Sequence, residues 1–222
     1  MKLFLLNGIF SCLYAAPIIN PAMPALIEEG FAFPDTHWTN PQGALIGDCL
    51  LEKKMHKHSK KVLITGVTES GAMIWSIRER FNLQGQIGSG HYTWKLSKMS
   101  LKLHGTLWSG DAKLIIFNVR DFNFCIDGQV GGWNATRALL RYWQVSPAIT
   151  YRMGKFTPYA GCAINRTDGK LSKIEKTIWI HEDQHLGPFV GISYSKGNCF
   201  LANFEWRGLF EDGLSVAAQV RF

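Results

Sequence analysis

Beyond residue 16 this chain has no apolar run long enough to cross a bilayer as a helix. Nor does any segment sustain the 3.6-residue periodicity of an amphipathic helix. Helical membrane proteins and helix bundles are excluded on that ground. Cysteine is scarce, five in 222 residues, and no pair has the CxxC spacing, so a metal site built from cysteines is not expected. Carboxylates are in deficit, 17 Asp and Glu against 24 Lys and Arg, which leaves a formal charge of +7. The densest basic stretch is Lys53, Lys54, Lys57, Lys60 and Lys61, with His56 and His58 among them. Outside a cell such a stretch meets lipid phosphates or anionic solutes, or is a solvated turn between two strands. The solvated turn is the expectation here, and no nucleic-acid partner is expected.

Export is expected from the amino terminus. Met1-Lys2-Leu3-Phe4-Leu5-Leu6 places one positive charge before a short apolar run that reaches Tyr14-Ala15-Ala16. That pattern is a secretory signal peptide, with residues 1–15 removed and 16–222 forming a single exported domain. Ile9-Phe10-Ser11-Cys12 is only a weak lipobox, and Cys12 leaves with the leader. Cys49, Cys125, Cys162 and Cys199 remain as disulfide candidates in an oxidising compartment, with their pairing open.

What the chain does have is two-residue alternation. At the carboxy terminus Leu214, Val216, Ala218, Val220 and Phe222 share one face of a strand and Ser215, Ala217, Gln219 and Arg221 the other. Met99, Leu101, Leu103, Gly105 and Leu107 alternate in the same way with Ser100, Lys102, His104, Thr106 and Trp108. Similar segments begin at Phe122, Trp143, Phe156, Leu186 and Phe200, with weaker ones near 43–52, 61–68, 72–80, 81–90 and 112–120. The total is about twelve strands (10–16 at the outside), each near the span of a tilted membrane strand. Connections alternate between tight and long, the longest running from Thr167 to Gln184. An all-β, transmembrane antiparallel β-barrel is the expected fold, in a bacterial outer membrane crossed many times.

A barrel of that strand number is too wide to fill with side chains, which favours lipid outside and a lumen inside. The apolar faces, that of Met99–Leu107 included, are therefore expected to meet lipid. Trp143, Tyr151, Phe156, Tyr194, Phe200, Trp206 and Phe222 lie near strand ends on that face, as interfacial aromatic girdles do. The opposite faces supply the candidate pore lining: Lys102, Gln144, Arg152, Asn165, Asn203, Glu205, Arg207, Gln219 and Arg221. This set is richer in arginine than in carboxylate, so it biases a pore towards anions or braces the wall through ion pairs.

Several motifs resemble the chlamydial major outer membrane porin family. They are Trp143-Gln144, Tyr151-Arg152 and Phe156-Thr157-Pro158-Tyr159-Ala160-Gly161. The ending, Glu205-Trp206-Arg207 and then Val216 to Phe222, is similar to that family's last two strands, and Pro17-Ile18-Ile19-Asn20-Pro21 to its mature amino terminus. The resemblance implies an outer-membrane porin for small solutes and ions, a homotrimer, and cysteine cross-links to other envelope proteins. The chain is much shorter than the family's principal members.

Passive diffusion through a porin, with a structural role in the envelope, is thus the expected function. A non-conducting structural or adhesive barrel is the alternative. Neither involves a cofactor, a metal or catalysis. One motif points elsewhere: His181-Glu182-Asp183-Gln184-His185 matches H-E-x-x-H of zinc proteases. That chemistry needs both histidines on one helical face, yet Thr177-Ile178-Trp179-Ile180 has strand character and Gly187-Pro188 follows at once. In a strand the two histidines stand roughly 13 Å apart, too far for one ion. A zinc protease is the remote alternative, and a surface loop over 167–183 is expected instead.

Overall fold

The computed structural model describes residues 42–57, 60–76, 81–96, 99–172, 177–182, 186–196, 200–208 and 211–221. Residues 1–15, expected as a leader, and Phe222 lie outside the described residues. Among the described residues eleven strands follow one another: β1 (Gln42–Lys57), β2 (Lys60–Ser76), β3 (Phe81–Leu96), β4 (Met99–Val119), β5 (Phe122–Ala135), β6 (Ala138–Tyr151), β7 (Phe156–Ser172), β8 (Thr177–Glu182), β9 (Leu186–Lys196), β10 (Phe200–Arg207) and β11 (Glu211–Arg221).

All pairings are antiparallel. Ten strands form a ring in the order β1 to β7, β9, β10, β11, and the ring closes where β11 pairs with β1 from Gln42↔Arg221 to Lys53↔Glu211. Closure gives each of the ten ring strands two neighbours for its backbone donors and acceptors, except that residues 99–104 of β4 run past the end of β5 and pair with β3 alone. The expected antiparallel barrel is the observed architecture.

β8 is the eleventh strand and sits outside that ring of ten. It pairs with the end of β7, from Asp168↔His181 to Ser172↔Thr177. Its other edge meets the end of β1, at Met55↔Glu182 and His56↔His181. β8 therefore lies above the shorter β9, β10 and β11 and replaces all three in the wall. The barrel has ten strands over most of its height and eight at this end, hereafter the upper end.

Two expectations about strands change. The segments 61–68 and 72–80 are one strand, β2, and 99–108 and 112–120 are one strand, β4. Gly71 and Gly110, which suggest breaks in the sequence, are ordinary strand residues whose missing side chains would point into open space. The long loop over 167–183 is instead the end of β7 and the whole of β8. The length expected in surface loops is in the strands, since β1 to β7 run 14 to 21 residues. A membrane crossing needs about 9–11.

Those long strands change polarity partway up. On β4 the inward side chains are Leu101, Leu103 and Leu107 in the upper part, then Ser109, Asp111 and Lys113 below. The outward ones are Lys102, His104 and Thr106 above, then Trp108, Leu114 and Ile116. β3 does the same: Tyr92 and Trp94 are buried above Gln84 and Gln86, while His91 and Lys95 are exposed above Ile87 and Leu83. On β6, Leu140 and Tyr142 face inward above Gln144 and Ser146, and Arg141 faces outward above Trp143 and Ile149. On these three strands the lower part is apolar outside and polar inside and the upper part the reverse, while on β1, β2, β10 and β11 the lower interior also holds an apolar cluster of Ala44, Ile46, Ala72, Ile74, Leu201 and Ala217. The expectation that Met99–Leu107 faces lipid is thus corrected: Leu101, Leu103 and Leu107 belong to an interior core.

That core fills the eight-stranded end. Leu50, Met55, Val62, Ile64, Tyr92, Trp94, Leu107, Trp133, Leu140, Leu171, Ile178 and Ile180 form one buried cluster. An eight-stranded barrel is just narrow enough for side chains to fill. Trp133 is its centre, 1% exposed. Its indole N–H donates to the Gly90 carbonyl at 3.2 Å and its ring stands edge-on to Tyr92 at 4.7 Å. A β-carbon at Gly105 would come within 2.8 Å of the Trp133 ring, so that glycine makes room for the indole.

Trp133→Ala should cost about 3–5 kcal/mol, the range for emptying a large aromatic site. Lys102→Ala on the outer wall should change stability by less than about 0.5 kcal/mol. Urea unfolding of the two variants in lipid vesicles checks this; equal costs would contradict an apolar upper core.

Candidate functional site

The candidate site is the barrel interior, because its inward-facing polar residues are what a pore would use. Five of them stand in direct register across five neighbouring strands: Gln84, Asp111, Gln129, Gln144 and Asn165. All five are buried. One step lower, Asn82, Lys113, Asp127 and Ser146 form a second rung. Side chains on these rungs bond to one another: Gln144 Nε2 donates to Ser146 Oγ at 2.7 Å, and Gln129 Nε2 donates to Asp127. Ser109 Oγ donates to Gln86 Oε1 at 3.3 Å, and Gln86 in turn donates to Ser70.

A second group spans β7, β9, β10 and β11. Tyr159, Gly191, Glu205 and Ser215 are in register. A β-carbon on Gly191 would lie 2.2 Å from the Tyr159 ring, so the phenol crosses β9 only because that position is glycine. Its hydroxyl lies 2.8 Å from Asn203 Oδ1 and 3.0 Å from Glu205 Oε2. Arg207 donates from a terminal guanidinium nitrogen to Ser215 Oγ at 2.9 Å, and its Nε is 3.9 Å from Glu205 Oε1. Arg207 and Glu205 are both essentially sealed from solvent, so they brace the wall.

The upper and lower barrel meet at an ion pair. Lys53 Nζ is 2.8 Å from Glu182 Oε1 and donates to Thr167 Oγ1 at 3.2 Å, with both charged side chains fully buried. A bulge brings this about. The β1–β2 register shifts between Leu50 and Lys53, so inward facing passes from the even residue Leu50 to the odd residues Lys53 and Met55. Sequence offered no signal for this, because Lys53 opens a run that otherwise has the look of a solvated turn.

Placement of the expected pore residues is mixed. Gln144, Asn165, Asn203, Glu205 and Arg207 point inward and are buried. Lys102 is on the outer wall of the upper barrel, and Arg152 is exposed in the β6–β7 turn, where its N–H donates to the Asp121 carbonyl. Neither faces the interior, because the inversion on β4 and the end of β6 put them elsewhere. The side chains of Gln219 and Arg221 lie outside the described residues. Asp111, Lys113, Asp127, Gln129 and Tyr159 are interior residues that the expectation omitted.

Of the expected girdle aromatics, Trp143, Tyr151, Phe156, Tyr194, Phe200 and Trp206 face outward, and Phe222 lies outside the described residues. Trp143 and Trp206 mark the upper edge of the apolar band, while Tyr151, Phe156, Tyr194 and Phe200 cluster at the lower turns. Phe122 packs on Tyr151 at 4.5 Å and Phe156 on Tyr194 at 5.2 Å.

Cys125 is buried on β5 and Cys162 half-buried on the outer side of β7, with β6 between them, so these two are not bridged to each other. The side chains of Cys49 and Cys199 lie outside the described residues. His181 and Glu182 are on strand β8 and point to opposite sides: His181 Nδ1 meets Asp168 Oδ1 at 2.6 Å on the exposed face, while Glu182 is inside. The helix that H-E-x-x-H chemistry requires is not formed at these residues, and His185 is outside the described residues.

No protein-family model and no curated protein matches the sequence. Among solved structures, the chain is similar to the β domain of the Bordetella autotransporter BrkA, at 10% identity over 82% of this chain and 98% of that one, with a TM-score of 0.47. It is similar to the translocator domain of autotransporter NalP from Neisseria meningitidis, at 12% identity over 89% and 93%, with a TM-score of 0.45. The outer membrane protease OmpT from Escherichia coli gives 9% identity over 86% and 100%, with a TM-score of 0.45. The resemblance to the chlamydial porin family therefore rests on its motifs alone.

Removing one partner of the buried pair leaves an uncompensated charge, so Lys53→Met should cost about 3–5 kcal/mol. Lys53→Met with Glu182→Leu should recover most of that loss. A double-mutant cycle by urea unfolding measures both, and additive losses would contradict the pairing.

Proposed function

We propose that this chain is an outer-membrane β-barrel of a bacterial envelope whose interior is closed by its own side chains, serving as a structural or adhesive barrel. Membrane insertion is supported by the outward band of the lower barrel, where Leu83, Ile87, Leu114, Ile149, Val190, Ile192 and Phe204 are exposed in a closed ring. An apolar surface that encircles a protein is costly in water and suits lipid. The leader expected at residues 1–15 fits export to that membrane.

The observation that carries the closed state is the burial of the inward face over its whole height. Trp133, Leu140 and Ile180 fill the upper end, and Gln129, Gln144, Asn165, Glu205 and Arg207 fill the lower part. A water-filled channel leaves its lining residues wet.

Passive diffusion of small solutes or ions is the second reading. It is favoured by the charged interior residues Asp111, Lys113, Asp127, Glu205 and Arg207, and by the porin-like motifs. It requires the upper core to move aside. A homotrimer and cysteine cross-links to other envelope proteins belong to that reading. Neither reading includes a catalytic step.

Planar-bilayer recording of the refolded chain separates the two. The closed barrel predicts a silent membrane, with openings appearing in a Trp133→Gly, Leu140→Gly variant. Stable, ion-selective openings of the unaltered chain would establish the second reading and remove the first.

A further inference from the structure

Just above the apolar band the outer wall of β3 to β7 turns basic. Register sets Trp108, Gly132 and Arg141 side by side on β4, β5 and β6, with Val130, Trp143 and Arg166 one step lower on β5, β6 and β7. Gly132 contributes no side chain, and a β-carbon there would lie 3.2 Å from the Trp108 ring. The Trp108 ring thus lies over Gly132, which is buried, and Trp108, Arg141 and Trp143 form one cluster around that glycine. Both tryptophans are exposed, at 42% and 45%.

Arg141 and Arg166 are diagonal neighbours across β6 and β7, roughly 7–8 Å apart with their β-carbons somewhat closer, and Asp168 stands directly opposite Arg141, so two long guanidinium side chains can converge on one anion beside a single carboxylate. Arg166 shares Asp168 with His181, at 3.4 Å and 2.6 Å. Arg141 is exposed and has no ion pair among the described residues. Higher on the same wall lie Lys102 and His104 on β4, and His91 and Lys95 on β3. Among the described residues Glu69 on β2 and Asp168 are the carboxylates near this level, so cations prevail there.

We infer that the outer-wall cluster of Trp108, Arg141, Trp143 and Arg166 binds the phosphate of an anionic lipid headgroup from the leaflet on the upper side of the barrel. The inference rests on the membrane reading given above. Its chemistry is that of an interface: guanidinium pairs bidentately with phosphate, and indoles settle where acyl chain meets headgroup. Each basic residue close to such a surface adds attraction to anionic lipid, and two arginines offset in part by Asp168 correspond to a preference of about tenfold.

The test uses the full mature chain refolded into vesicles of phosphatidylcholine with dibrominated phosphatidic acid or dibrominated phosphatidylcholine as the minor lipid. Tryptophan quenching reports which lipid sits against the wall. Phosphatidic acid should be preferred about tenfold, and Arg141→Gln with Arg166→Gln should bring the ratio close to one. Arg141→Lys with Arg166→Lys keeps the charge and should retain part of the preference, falling as salt rises. An unchanged ratio in the glutamine pair, or a ratio of one in the unaltered chain, overturns the site while leaving the barrel in its membrane. Absence of quenching by either lipid overturns the membrane reading itself. If the glutamine pair does not fold, the salt dependence of the unaltered chain decides, and a salt-independent ratio overturns the proposal.

Discussion

Everything in this structure depends on the closing of the sheet between β1 and β11. Once that seam forms, each strand has a neighbour on both sides, and each side chain is committed to the inside or the outside. A strand cannot change which residues face inward along its length without a bulge. The register of β2–β3 and of β3–β4 runs without a shift from end to end. Along those strands a change of surroundings must be met by a change of residue type at fixed parity. The swap from Leu107 to Ser109 inside β4, and from Thr106 to Trp108 outside it, is that change.

Two bulges relax the rule, and the one in β1 has a clear consequence. The shift between Leu50 and Lys53 turns Lys53 inward, where it meets Glu182 of β8. β8 is short, and its register with β1 covers only Met55 and His56. The ion pair thus lies where β8 completes the eight-stranded end. Narrowing from ten strands to eight makes the upper interior small enough to be filled by Trp133, Trp94, Tyr92 and their neighbours. The upper barrel is in effect built like a water-soluble barrel standing on a membrane one.

Much of this was legible in the sequence. Two-residue alternation identified β5, β6, β7, β9, β10 and β11 and put Trp143, Phe156 and Phe204 on the outer face. The interior positions of Gln144, Asn165, Asn203, Glu205 and Arg207 followed from the same parity. β4 failed for a physical reason. A lipid-facing strand and the wall of an apolar core have the same period, and a ten-residue window cannot tell which side the leucines meet. Only the whole strand from Met99 to Val119 holds the answer, and Gly110 hides that continuity. Gly71 does the same in β2. Lys53 was illegible because its burial comes from a bulge and from a partner more than a hundred residues away, neither of which leaves a local mark.

The central claim is that one strand face is wet above and lipid-covered below. The most direct test is the reaction of a membrane-impermeant maleimide with Lys102→Cys or Leu114→Cys, each made in a chain whose own cysteines are serine and folded into vesicles. Both positions lie on the outer face of β4. The account predicts rapid labelling at 102 and protection at 114, relieved when the vesicles are dissolved and the protein unfolded. Equal protection at both positions, or equal labelling, would contradict it.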